Sequence, residues 1–158
     1  MKTLIATTLA ASLATAPLAF ASGTIDDAKR ALQIGADYGI SHFHSIELED
    51  DHGDDGSMEI EGWLDEQWYV ELDINGDGSI RKEERQKRTD GPWGLSSSEA
   101  ADYIDASVNQ GMSRVEEIKI NAKGEIEVEG DNADGQELEI DYRAGSMEPT
   151  KVERDDWS

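Results

Sequence analysis

Apolar residues recur at helical spacing in two places along the chain, at Ile25, Ala28, Ala31 and Leu32, and again at Ala100, Tyr103, Ile104 and Val108. Each stripe predicts an amphipathic helix with one face turned to a core. Ser22 or Thr24 can cap the first helix, and Ser96 with Glu99 has the form of a capping box for the second. Between and after the helices the pattern changes to strict alternation. Met58-Glu59-Ile60-Glu61 sends its apolar and acidic side chains to opposite sides, as a strand requires. Such alternation predicts an antiparallel sheet, buried on one face and lined with carboxylates on the other.

The same order occurs twice. A helix is followed by Gly39-Ile40 in the first half and Gly111-Met112 in the second. Ser45-Ile46-Glu47-Leu48-Glu49 then matches Glu117-Ile118-Lys119-Ile120-Asn121. Met58-Glu59-Ile60-Glu61-Gly62 matches Ile126-Glu127-Val128-Glu129-Gly130, and Val70-Glu71-Leu72-Asp73 matches Leu138-Glu139-Ile140-Asp141. Gly78-Ser79 and Gly145-Ser146 turn each half into a last short segment. The offset is 72 residues at the first strand and 68 at the next two, and the difference sits in a longer acidic loop over residues 50–56. The expected fold is α+β, as two similar modules. Each is one helix on a small antiparallel sheet of three to four strands. The modules span residues 22–88 and 96–158. Gly91-Pro92 and Gly94 mark residues 89–95 as the linker, in which Trp93 is placed to wedge between modules.

Ahead of the first helix lies a leader. Lys2 precedes an Ala/Thr/Leu-rich apolar run from Leu4 to Ala16, Pro17 breaks it, and Ala19-Phe20-Ala21 offers small residues for cleavage. This is the pattern of a secretory signal peptide over residues 1–21. An exported protein, periplasmic or secreted, is expected, with no membrane insertion after signal removal. The 158-residue chain carries 14 basic and 36 acidic residues, a net charge of −22, and no cysteine. That charge repels nucleic acid and anionic lipid. It favours cations or a basic surface on a partner. Without disulfides, small modules must be held by packing on each other or by a metal.

The helix, the Gly-apolar pair, the "IELE", "MEIEG" and "IEVEG" strands, and the "YVELD" and "LEIDYRAG" strands together resemble the PepSY domain. The likeness runs almost unbroken from Gly124 to Gly145. The first half departs from it through the residue 50–56 loop and one extra residue between Asp73 and Gly78. The resemblance implies a non-catalytic protein that restrains or regulates a peptidase or another envelope protein, with no catalytic residue to carry over. The residues agree on this last point. No Ser/His/Asp or Cys/His arrangement occurs, and nothing in the pattern fixes two carboxylates in one pocket.

Residues 73–84 carry the sharpest local motif. Asp73, Asn75, Asp77 and Ser79 fall at positions 1, 3, 5 and 7 of a twelve-residue calcium loop, with Gly78 at position 6 and Glu84 at position 12. Calcium takes six to eight oxygens, and the Gly permits the sharp turn. The alternative function is therefore calcium binding through Asp73, Asn75, Asp77, Ser79 and Glu84. Against it, Trp68-Tyr69-Val70-Glu71-Leu72 reads as a strand entering the loop, Arg81 and Lys82 add positive charge, and Asn, Gly and Asp make hairpin turns unaided. A weaker constellation joins His42, His44 and His52 with Asp50, Asp51, Asp54 and Asp55 as a zinc or copper site. Trp63, Trp68 and Tyr69 are candidate partner contacts. Trp68 and Tyr69 are neighbours on a strand, so only one of them can face the core.

Overall fold

A computed structural model describes residues 23–49 and 57–154. The leader expected over residues 1–21, the residue 50–56 loop with His52, and the C-terminal residues 155–158 lie outside the described residues. The order is α1 (Ile25–Tyr38), β1 (His42–Glu49), β2 (Ser57–Trp63), β3 (Trp68–Ile74), β4 (Ile80–Lys87), then α2 (Ser97–Asn109), β5 (Met112–Ile120), β6 (Glu125–Asn132), β7 (Glu137–Arg143) and β8 (Lys151–Arg154). One helix followed by four strands thus runs twice.

Both helices start as their sequences predict. The Thr24 hydroxyl accepts the Asp27 N–H at 3.1 Å, and the Asp27 carboxylate accepts the Thr24 N–H at 3.3 Å. Ser96 and Glu99 repeat the exchange at 3.2 and 2.8 Å. Each box satisfies donors that a helix start leaves unpaired. Behind each helix a left-handed glycine, Gly39 (φ 116°) or Gly111 (φ 106°), turns the chain into the next strand. The residue after it, Ile40 or Met112, is buried. The second apolar stripe differs at one position. Val108 is 39% exposed, and Ser107 is buried in its stead. The Ser107 hydroxyl donates to the Tyr103 carbonyl at 2.9 Å and pairs with the Tyr142 hydroxyl at 3.0 Å, so its polar group is satisfied inside the core.

Each half supplies one helix and four strands, and the pairing of β1 with β5 joins the two sets of strands into one sheet. All eight strands form one antiparallel sheet in the order β4-β3-β2-β1-β5-β6-β7-β8. The joint lies between Ser45, Ile46 and Glu47 and their partners Lys119, Ile118 and Glu117. Joining there removes two unpaired strand edges from the middle of the molecule, which each half alone would expose. Both helices lie on one face over this joint, and one hydrophobic core serves both halves, from Leu32, Ile46 and Leu72 to Ile104, Val128 and Ile140. The opposite face carries the acidic side chains of the alternation.

A shared steric device explains the Gly at the end of β2 and in β6. β1 is bulged between Phe43 and Ser45, and β5 between Met112 and Arg114 and again between Val115 and Glu117. The bulged strands press their backbones against their neighbours. A Cβ on Gly62 would sit 2.4 Å from the His42 carbonyl oxygen, and one on Gly130 would sit 2.0 Å from the Arg114 carbonyl oxygen. Only glycine fits at either place. No helix among the described residues is long and apolar enough to cross a membrane.

Candidate functional site

Because cross-strand partners share a face, the register decides which acidic residues meet. On the face without helices it lines up Asp73, Glu59, Glu47, Glu117, Glu129, Glu139 and Glu153 in one row across seven neighbouring strands, ended on β4 by Lys82. A second row runs beside it through Glu84, Glu71, Glu61, Ser45, Lys119, Glu127, Asp141 and Lys151. Like charges directly opposite each other destabilise a sheet. The first row repeats that arrangement across its whole width.

The ammonium groups on this face are heavily committed. Lys119 Nζ reaches Glu127 at 2.5 Å, Glu117 at 2.9 Å and Glu129 at 3.1 Å. Burial opposes its charge, but the hydrogen bonds that it donates to these three carboxylates outweigh burial and raise its pKa. Lys151 reaches Glu153 at 2.8 Å and Glu139 at 3.0 Å, and Lys82 reaches Glu84 at 2.8 Å. In the first half the position equivalent to Lys119 is Glu47. Burial, with the charges of Glu117 and Glu49, raises the Glu47 pKa. Burial, with Glu71, Glu61 and Asp73, raises that of Glu59. Glu129 is pushed up to about 7 by its hydrogen bond with Glu127 and by burial, and Glu127 moves down in response. The two behave as a pair sharing one proton.

Carboxylate oxygens converge in three places, with ligand atoms within 4.8 Å of one another: Glu59, Glu71 and Asp73; Glu127, Glu139 and Asp141; and Glu117, Glu127 and Glu129 around Lys119. The first two triads are the same positions in the two halves, 68 residues apart throughout.

Residues 73–84 form a hairpin with a strand on each side. Asp73 lies on β3 opposite Lys82, 3.5 Å from Arg81 Nη2. Glu84 lies on β4 opposite Glu71. The turn between them is held by its own bonds. Asn75 donates from Nδ2 to the Ser79 hydroxyl at 2.9 Å, and Asp77 accepts the Ser79 N–H at 2.8 Å and hydroxyl at 2.6 Å. These bonds from Ser79 hold the Asp77 carboxyl below its ordinary value. The Ser79 carbonyl accepts the Asn75 N–H at 2.9 Å. Arg30 of α1 fixes the tip by donating to the carbonyls of Gly76 at 3.0 Å and Asp77 at 2.7 Å. Asp73 therefore shares its oxygens with Glu59 and Glu71 on the open face, away from the turn.

At one end of the open face the expected aromatic contacts are mostly internal. Trp63 is fully buried, Tyr69 nearly so, and Trp68 is 37% exposed with the Lys87 ammonium 5.1 Å from its ring centroid. Between Trp63 and Tyr69 sits His44, itself buried. Trp63 Nε1 donates to His44 Nε2 at 3.1 Å, and the Tyr69 hydroxyl lies 3.0 Å from His44 Nδ1 and donates onward to Glu61. Trp93 of the linker stacks on the His44 ring with centroids 3.5 Å apart. Trp93 thus packs on β1. His42 stays half-buried, bonded through Nδ1 to the Ser41 hydroxyl at 3.0 Å.

The alternation predicted the carboxylate face, but not its rows, because these depend on the β1–β5 joint. The His44 network was missed. Its one signal was the clustering of Trp63, Tyr69 and Trp93, in a chain with few aromatics. No protein family, no curated protein and no solved structure matches this chain.

Proposed function

We propose that this chain is an exported, non-catalytic binding protein built from two PepSY-like modules, each one helix on its own set of strands, and that it docks a basic surface of a protein partner on its open sheet face. The partner class that the PepSY likeness suggests is a peptidase or another envelope protein, restrained or regulated by the contact. One observation carries the docking surface: the row from Asp73 to Glu153, which crosses both halves in unbroken register. An array of like charges costs stability in the free protein, and a cationic partner would relieve that cost on binding.

The test is capture from an envelope fraction with the immobilised chain. A specific basic partner is expected, eluted by raising salt, and lost when Glu47, Glu59 and Glu117 are together changed to Gln. Capture of nothing specific, or of a partner indifferent to both salt and the triple variant, sinks this reading.

The second reading is calcium binding. It is supported by the shared position of Asp73, which belongs both to the twelve-residue motif and to the triad with Glu59 and Glu71. Calorimetric titration tests it, and the absence of heat at millimolar calcium removes it.

A further inference from the structure

His44 is held neutral by the direction of its hydrogen bonds. The Tyr69 hydroxyl gives its proton to Glu61, so its oxygen accepts from His44 Nδ1–H. The other ring nitrogen, Nε2, accepts the Trp63 indole N–H. Both ring nitrogens are therefore used, and one of them must stay unprotonated. A proton added at Nε2 would face the Trp63 N–H donor to donor. It would also set a cation beside Arg88, whose guanidinium carbon lies 4.6 Å from the Tyr69 ring centroid and 5.5 Å from that of Trp63.

Trp93, which stacks on His44, and Arg88, which lies over the Trp63 and Tyr69 rings, belong to the segment joining the two halves. It begins at Arg88, whose N–H donates to the Gln67 carbonyl at 2.9 Å, and ends at Leu95, which exchanges two backbone bonds with Phe43 at 2.7 and 3.0 Å. Between these ends Trp93 is the part that covers the imidazole. The β1 bulge makes room for the contact. It places His44 beside Ser45 on the open side, and Gly94, whose Cβ would lie 2.4 Å from the Phe43 carbonyl oxygen, lets the segment press against it.

We propose that residues 88–95 are a proton-released strap: neutral His44 holds Trp93 down, and protonation of His44 lifts Trp93 away and uncovers Trp63 and Tyr69 at the border of the acidic face. The geometry gives the closed state a ring that cannot accept a proton without losing a bond. The open state exposes that ring to water. The charged and titratable groups facing His44 are His42 on its own strand, Glu61 through Tyr69, and Arg88 and Asp90 on the strap. Burial first, then Arg88, pushes His44 down to about 4 from its ordinary 6.5, while the Trp93 backbone and Asp90 oppose the shift. The sign follows. A ring that titrates near 4 when covered and near 6.5 when free loses its cover as pH falls. The closed-to-open ratio drops about 20-fold between pH 7 and pH 5. This device does not depend on the nature of the partner.

The test uses the full chain labelled with 5-fluorotryptophan, with the Trp93 resonance assigned through Trp93→Phe. Between pH 7.5 and 4.5 the Trp93 fluorine signal should move to its solvent-exposed position, and Trp63 should move with it. In His44→Gln, which can still accept from Trp63 and donate to Tyr69, the Trp93 signal should stay in place. A Trp93 signal that does not move in the wild type overturns the proposal. So does the same transition in His44→Gln, since the many carboxylates would then be its cause. If His44→Gln does not fold, Trp93→Ala decides by reciprocity. The His44 ring, followed by nitrogen NMR, should titrate near 6.5 in that variant, and a value still near 4 rejects the strap.

Discussion

Glu47 of β1 stands directly opposite Glu117 of β5, at the joint where the two halves of the sheet meet. The pairing places two carboxylates at the middle of the molecule, and Glu47 also faces Glu59 on its other side. Burial, with the charges of Glu117 and Glu49, raises the Glu47 pKa, so ionising it costs more in the folded chain than in the unfolded one. Removing the charge should therefore stabilise the fold. Glu47→Gln is expected to gain about 0.2–1 kcal/mol at pH 7.5. That corresponds to a rise in Tm of up to about 4 °C. Glu47→Lys should gain at least as much, since it copies Lys119 of the other half. Thermal melts at low salt read both, and a lower Tm in either would show that the row is not under repulsion.

The pH dependence of stability follows from the same face. Glu129 is raised to about 7 from an ordinary 4.5, while Glu47, Glu59 and Asp141 are raised as well. A carboxyl with a raised folded pKa binds its proton more tightly in the folded state. Its contribution is fully present below the unfolded value and is lost as pH rises through the folded one. For Glu129 the window runs from about pH 4.5 to 7. Lys119→Met should be more costly at pH 8 than at pH 5, because Glu129, which the ammonium offsets at 3.1 Å, gains its charge across that range. Urea melts of both proteins across that range check it. A difference between them that is constant with pH contradicts the assignment.

How much of this was legible in the sequence depends on the range of the interaction. The capping boxes at Thr24 and Ser96, and the left-handed glycines behind the helices, are local, and their residue types declare them. The alternation of β2 and β6 is equally local, and so the acidic face was readable. The single sheet was not, since nothing within β1 or β5 distinguishes an edge left open from one paired with the other half. Ser107 illustrates a second limit. A serine reads as surface until a partner such as the Tyr142 hydroxyl reaches it inside the core, and Val108 then rotates outward. His44 illustrates a third. Its spacing from His42 suggested metal chemistry, while its real partners, Trp63, Tyr69 and Trp93, come from two other strands and the linker.

Calcium binding can be located by comparing two variants. The twelve-residue motif requires Glu84, which the hairpin places on β4 opposite Glu71. The open-face triad requires Glu59, which the motif does not contain. If calcium sits on the face, Glu59→Gln should weaken it at least about tenfold while Glu84→Gln leaves it nearly unchanged. The opposite ranking would mean that the hairpin rearranges into a calcium loop. Calorimetry on both proteins at one ionic strength separates the two outcomes.

The close approach of the bulged strands makes a prediction whose sign is unusual. Gly62 and Gly130 have ordinary strand backbones, outside the left-handed region. At such positions Gly→Ala commonly stabilises by about 0.4–1 kcal/mol, through the unfolded chain. Here the new Cβ meets a backbone carbonyl, at 2.4 Å from His42 for Gly62 and 2.0 Å from Arg114 for Gly130. Backbone cannot swing aside as the end of a side chain can, so β1 or β5 must move off its neighbour. Gly62→Ala and Gly130→Ala should each destabilise by roughly 1–3 kcal/mol or more. Gly130→Ala should be the worse of the two, because its contact is closer. Gly62→Ala should also disturb the His44 cluster, since the carbonyl it strikes lies two residues before His44. A stabilising result at either glycine would mean that the bulged strands do not approach as closely as the pairing requires.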